Sequence, residues 1–169
     1  MIKLKGRYSR GNNFIIFLTS FLIFLMLDQV TKWWARENLA DRSIQIIPGF
    51  FDLTLRKNVG SAFGVRLINS PAHLIITLAI TMVFFYFMLR FLDNWKWWFF
   101  LGTGLFLSGA WGNLIDRLRL GFVIDFFEPS IWATFNIADV TIIAGLILIF
   151  IQIWDQGSAI EETKNQDLR

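Results

Sequence analysis

Eight polar side chains stand out against an apolar chain: Asp28, Lys32, Asn113, Asp116, Arg117, Asp125, Asn136 and Asp139. The chemistry open to them narrows by elimination. With one His and no Cys, neither a Cys–His dyad nor an HExxH zinc site can be built. A Ser–His–Asp triad would depend on His73, with no serine in a nucleophile-elbow context. A Ser–Lys dyad could use only Lys32 with Ser61. What remains is carboxylates. Two aspartates held close together cannot both ionise easily, so one keeps a proton while the other serves as a base. Such a pair can activate water and protonate a carbonyl oxygen, which is peptide hydrolysis without a metal or a covalent intermediate.

Each residue also has a structural reading. Asp28 and Lys32 are four apart and can pair along one helix face. Asn136 and Asp139 have capping-box spacing, where a helix dipole also favours an anion. Asp116 and Arg117 could form an interfacial pair that ends a helix. Asp125 has the weakest structural reading: its neighbours are Val123, Ile124, Phe126 and Phe127, and its only local partners would be Arg117 or Arg119. Ser108 lies in a small-residue stretch with Gly102, Gly104, Gly109 and Ala110, a pattern of close helix packing. His73 is expected simply to sit near the start of a helix.

The elements that must position these groups follow from composition. The chain has 169 residues, 55% of them hydrophobic, with 8 Trp and 19 Phe, too apolar for a soluble domain of this size. Four windows approach the ~20 apolar residues that cross a bilayer core, roughly 14–34, 72–92, 97–116 and 134–154. The first lacks a small-residue cleavage site and carries Asp28-Gln29 near its end, so it reads as a permanent helix rather than a cleaved signal. The expected fold is an all-α membrane protein, a single integral domain over 1–169. A small β element is expected in the 35–71 loop, where "SIQIIPGFFDLTLRKNVGSAFGV" has β-branched and aromatic runs. In that loop Leu53 and Leu55 alternate with Asp52, Thr54 and Arg56, and Pro48-Gly49 and Gly60 punctuate.

Lys3, Lys5, Arg7 and Arg10 precede the first window and predict a cytoplasmic N-terminus, hence both termini inside. The short Arg90/Lys96 turn agrees; elsewhere Lys and Arg are nearly balanced between the two sides. Trp95, Trp97, Trp98 and Trp154 fall at one set of span ends, and Trp33, Trp34 and Trp132 at the other, as aromatic belts would. Threaded this way, all eight polar residues lie in the outer half, with Asp139 ~8 Å along the fourth window from position 134. Ionisable groups at that depth face a bundle interior or a water-filled cavity. The net charge of +3 is modest and scattered, which argues against a nucleic-acid surface. A proton-coupled transporter or channel is the rival reading, because intramembrane Asp residues can relay protons. A non-enzymatic assembly subunit is a second.

Five segments in order, "DQVTK" (28–32), "KNVGSAFG" (57–64), "GNLIDR" (112–117), "VIDFF" (123–127) and "FNIADV" (135–140), resemble the successive motifs of bacterial lipoprotein signal peptidase, signal peptidase II. The resemblance covers nearly the whole chain outside its two tails. It implies an aspartic endopeptidase of the bacterial inner membrane that cuts prolipoproteins just before a diacylglyceryl-modified Cys. It implies no cofactor or metal, and its partners would be those substrates and membrane lipids. The protein is expected to be a monomer. Carried over residue by residue, it makes Asp125 and Asp139 the catalytic pair. Asn58, Asn113, Arg117 and Asn136 would line or support the site, and Asp28, Lys32 and Asp116 would be structural. The 35–71 region would be the cradle that holds substrate on the periplasmic side.

Overall fold

The computed structural model describes residues 10–59, 61–62, 65–66, 70–91 and 95–167. Lys3, Lys5, Arg7 and Gly60 lie outside these residues, as do the side chains of Arg10, Ser61 and His73. The described chain is mostly helical: α1 (Arg10–Asn38), α2 (Ser70–Phe91), α3 (Trp97–Leu120) and α4 (Ile137–Asp167). Between α1 and α2 run β1 (Ile44–Ile47), β2 (Phe51–Asn58) and a minimal hairpin of β3 (Ser61–Ala62) and β4 (Val65–Arg66). A further strand, β5 (Val123–Pro129), lies between α3 and α4.

That last strand differs from the sequence expectation, which put the β element in the first loop alone. β5 joins β1 and β2 in one antiparallel sheet of order β1-β2-β5. Its residues Val123 to Phe126 are all buried. A strand buried on both faces has no apolar/polar alternation to betray it. Strand β2 does alternate in sequence, and Leu53 and Leu55 pack on a core of Ala35, Leu39, Ile124 and Phe126. The sheet is thereby seated on the end of α1 and the start of α4, through Ile137.

Helix α3 is the axis of the bundle and packs against α1, α2 and α4. Its contact with α4 is close because Gly102 and Gly145 face each other. A Cβ on Gly102 would lie 2.8 Å from the Leu148 side chain and 2.9 Å from the Gly145 carbonyl oxygen. Small residues that let backbones approach are how helices associate where burial in lipid supplies no hydrophobic drive. Ser108, wholly buried, returns its hydroxyl to the Leu105 carbonyl at 2.7 Å and leaves that face smooth. A second core of Phe17, Phe99, Phe100, Leu107 and Ile149 fills the end of the bundle remote from the sheet. There Gln152 of α4 accepts the Lys96 backbone N–H at 3.3 Å, satisfying a donor at the start of α3 that no local cap takes.

The outward faces are apolar. Ile23, Met26 and Val30 of α1, Met82 of α2, and Ile143, Ile147 and Phe150 of α4 are all exposed. Among the described residues two stretches, Gly11–Asn38 and Ile137–Ser158, are long and apolar enough to cross a membrane, and Leu74–Phe87 is a shorter apolar stretch. Exposed Trp33 and Trp132 lie towards the sheet end, and exposed Trp97 and Trp154 towards the other.

Candidate active site

Asp125 is delivered by the sheet. In the β2–β5 ladder Asn58 stands opposite Val123, which makes Asp125 its diagonal neighbour on the same face. The Asn58 amide donates to Asp125 Oδ2 at 2.9 Å. Arg56, opposite Asp125 in the register, is committed elsewhere: its guanidinium pairs with Glu128 at 2.6 Å and draws that carboxyl down. Asp125 is therefore 2% exposed with neutral donors as its hydrogen-bond partners. Burial, above all, pushes its carboxyl up to about 6. The bonds from Asn58 and Asn136 and the charge of Lys32 oppose the shift, and the charge of Asp139 adds to it.

Asp139 is delivered by a helix start. Residues 134–136 precede α4, so Asp139 sits in the first helical turn, shallower than a count from position 134 implies. Asn136 and Asp139 exchange bonds in a capping box. Asn136 Oδ1 accepts the Asp139 N–H at 3.0 Å, and Asp139 Oδ2 accepts the Asn136 N–H at 3.1 Å. This leaves Asp139 Oδ1 to accept the Asn113 amide at 2.9 Å. Capping and site membership are one geometry here, because the cap fixes the carboxyl without covering it.

Asn136 ties the two acids together. Its amide nitrogen donates to Asp125 Oδ1 at 2.7 Å, to Asn113 Oδ1 at 3.1 Å and to the Ile124 carbonyl at 3.1 Å. Both carboxylates, with Asn58, Asn113 and Asn136, thus form one hydrogen-bonded cluster. Arg117 lies at its edge, donating to the Asn113 carbonyl at 3.3 Å and close enough for coulombic attraction to Asp139 and Asp125. Its neighbour Asp116 attracts it too, but the Asp116 carboxyl is bonded to Lys32 and to the Ile124 N–H.

Beneath this cluster lies a charged one. Lys32 Nζ is buried between Asp28 at 2.9 Å and Asp116 at 3.1 Å and also donates to Asn113 Oδ1 at 2.9 Å. The two acids have second tasks. Asp28 Oδ1 accepts the N–H of Ala138, the residue before Asp139, at 2.9 Å. Asp116 Oδ2 accepts the N–H of Ile124, the residue before Asp125, at 3.1 Å. One ion cluster on α1 and α3 therefore holds the backbone beside both candidate acids. Lys32, held by two carboxylates, is not free to act as a base for a serine.

Sequence reasoning missed two members of this support. Gln29 donates to Asp28, to the Gly112 carbonyl and to Asp116 at 3.1–3.4 Å. Gly112 must lack a side chain, since a Cβ there would collide with the Asp28 carboxylate. Both stand inside the quoted motifs, and their polar or small character among apolar neighbours was the available signal.

A groove of about 720 Å³ opens at Asp139 and runs down α4. Trp132, Phe135, Val140, Ile143, Ala144 and Ile147 line it. Asp139 is the one ionisable residue in that lining, so the groove offers an apolar segment a path that ends at a carboxyl group.

Comparison with known proteins shows the family. Residues 20–155 match the family described as Signal peptidase (SPase) II. The lipoprotein signal peptidase of Clostridioides difficile is 40% identical over 144 residues, covering 82% of this chain and 95% of its own. That of Halothermothrix orenii is 35% identical over 136 residues, covering 80% and 92%. A solved structure described as a bacterial membrane enzyme superposes with a TM-score of 0.73 at 30% identity, covering 89% of this chain and 97% of that one. Similarity this extensive, in fold as well as sequence, leaves the transporter reading without support: the chain is a protease that belongs to the signal peptidase II family.

Proposed function

We propose that this protein is an aspartic endopeptidase that removes the signal peptide from prolipoproteins by cutting before a diacylglyceryl-modified Cys. The observation that carries the proposal is Asn136, whose side chain and backbone bond both Asp125 and Asp139, the second of which stands at the head of an apolar groove. Asp125, buried and pushed up to about 6, is the carboxyl suited to hold the proton. Asp139, half-buried and open to the groove, is the base. Asp139 takes a proton from water as the water oxygen attacks the scissile carbonyl carbon, and Asp125 protonates the carbonyl oxygen. The tetrahedral diol collapses as the C–N bond breaks, Asp139 gives its proton to the leaving nitrogen and Asp125 takes one from a diol hydroxyl, which releases the carboxylic acid and restores the starting pair. Asn58, Asn113 and Asn136 orient the two carboxyls, and Arg117 steadies the negative charge. No step needs a metal, so cleavage is expected to survive EDTA. Loss of activity in EDTA that a divalent ion restores would contradict this.

The pair must hold one proton. The rate constant kcat/KM, which reports the ionisation of the free enzyme, is therefore expected to fall as pH rises through about 6. The sign follows from the direction of the shift: a raised carboxyl keeps its proton below that value and loses it above. A rate that climbs steadily from pH 6 to 9 would make the doubly ionised pair the active form.

The protein acts as a monomer in the bacterial inner membrane. Four helices span, both termini are cytoplasmic, and the sheet and site face the periplasm. The helical stretches and their exposed apolar faces support this placement. With no native Cys, a single Cys introduced at Gln45 should label with an impermeant thiol reagent in intact cells, and one at Ser158 should not. The reverse pattern would invert the topology.

A further inference from the structure

Two turns at the rim of the sheet are fastened to each other. The turn between β1 and β2 closes through the Phe50 N–H on the Ile47 carbonyl at 2.9 Å. The turn after β5 closes through the Trp132 N–H on the Pro129 carbonyl at 3.3 Å. Ser130 joins them, its N–H donating to the Phe50 carbonyl at 2.9 Å and its hydroxyl to the Gly49 carbonyl at 2.8 Å. The joined edge presents Ile46, Ile47, Phe50, Ile131 and Trp132, each at least half exposed, Ile131 at 79%. The sequences "IIPGFF" (46–51) and "PSIWATF" (129–135) contain no charge at all.

An edge built for water would carry charges, and exposed strands commonly do. An uncharged edge of this kind is a contact surface. What covers it follows from continuity. Trp132 belongs both to the edge and to the apolar groove, which continues along Val140, Ile143 and Ile147 on the outer face of α4. The edge thus extends a lipid-facing surface past the end of the helix. Its composition, aliphatic and aromatic with backbone polar groups already bonded within the turns, suits the boundary between acyl chains and headgroups.

We infer that this double-turn edge dips into the outer leaflet and anchors the sheet to the bilayer surface beside the groove mouth. The partner is the lipid itself. The anchor fixes the tilt of β2 and β5, and with it the level of Asp125 relative to the bilayer surface. The inference rests on the membrane placement of α4 and not on peptidase chemistry.

The chain has no Cys, so single Cys residues at Phe50, Ile131 and, as a reference on α4, Leu146 can each take an environment-sensitive fluorophore. The labelled full-length protein is placed in phosphatidylethanolamine–phosphatidylglycerol vesicles containing phosphatidylcholine with a nitroxide near the top of one acyl chain. Labels at 50 and 131 are expected to lose at least half their emission to the nitroxide lipid and to resist aqueous iodide. Quenching by iodide but not by nitroxide would put the edge in water and overturn the inference. Protection from both would mean that protein, such as a second copy, covers the edge, which also overturns it. An unquenched reference at 146 would remove the membrane placement on which the inference stands.

Discussion

Asp125→Asn and Asp139→Asn are each expected to lower turnover roughly 10⁴-fold or more while leaving the protein folded, the range seen when one member of a catalytic unit is removed. Asn keeps the size and the hydrogen-bonding capacity of Asp but can neither accept a proton from water nor supply one to a carbonyl. In Asp139→Asn the amide oxygen can still accept the Asn136 N–H, so the cap that starts α4 persists. At either position both carboxylate oxygens accept N–H donors, so an Asn sets its own NH₂ against one of them, at Asp139 against the Asn113 amide. Asp125→Asn is the more destabilising of the two because Asp125 is the more deeply buried. Because the acids act on one proton, the double variant should be little worse than either single one. Melting temperature in detergent and binding of an uncleaved substrate analogue separate lost chemistry from lost structure.

Asp28→Ala has the next largest expected effect, on stability. It removes one partner of a buried cation and leaves the Ala138 N–H without its acceptor. Lys32 keeps Asp116 as its counter-ion, so the cost is a lost charge-assisted bond and a buried N–H without an acceptor, each about 1–3 kcal/mol. Folded yield and melting temperature should fall more than turnover per folded molecule. Lys32→Met should be worse, since it leaves Asp28 and Asp116 side by side without their cation. A normally melting Asp28→Ala protein with background turnover would instead give Asp28 a direct part in the chemistry.

Much of this site was legible in the sequence because apolar surroundings make each polar residue conspicuous. The i, i+4 spacing of Asp28 and Lys32 and the capping spacing of Asn136 and Asp139 each report a local geometry, and those bonds are present. The non-local partners were not legible. Nothing in "VIDFF" says that it is a strand, because a fully buried strand has no period to read. Without that strand the approach of Asn58 to Asp125 has no cause. The sequence likewise could not show that Asp28 and Asp116 each secure the peptide unit just before an acid, since those bonds go to backbone atoms. The adjacency of Asp116 and Arg117 suggests an interfacial pair; the two do attract each other, while the Asp116 carboxyl also bonds Lys32 and the Ile124 N–H, partners that adjacency cannot show.

Asp125 and Asp139 are proposed to cut a lipidated prolipoprotein together. The measurement that tests this most directly is product mass after incubation of purified protein with a prolipoprotein carrying diacylglyceryl-Cys, for wild type and Asp139→Asn side by side. Two fragments are predicted from wild type, one of them beginning at the modified Cys, with neither formed at a comparable rate by the variant. Cleavage by Asp139→Asn within about tenfold of wild type, ~1.4 kcal/mol of barrier, would reduce Asp139 to a helix cap and contradict the claim.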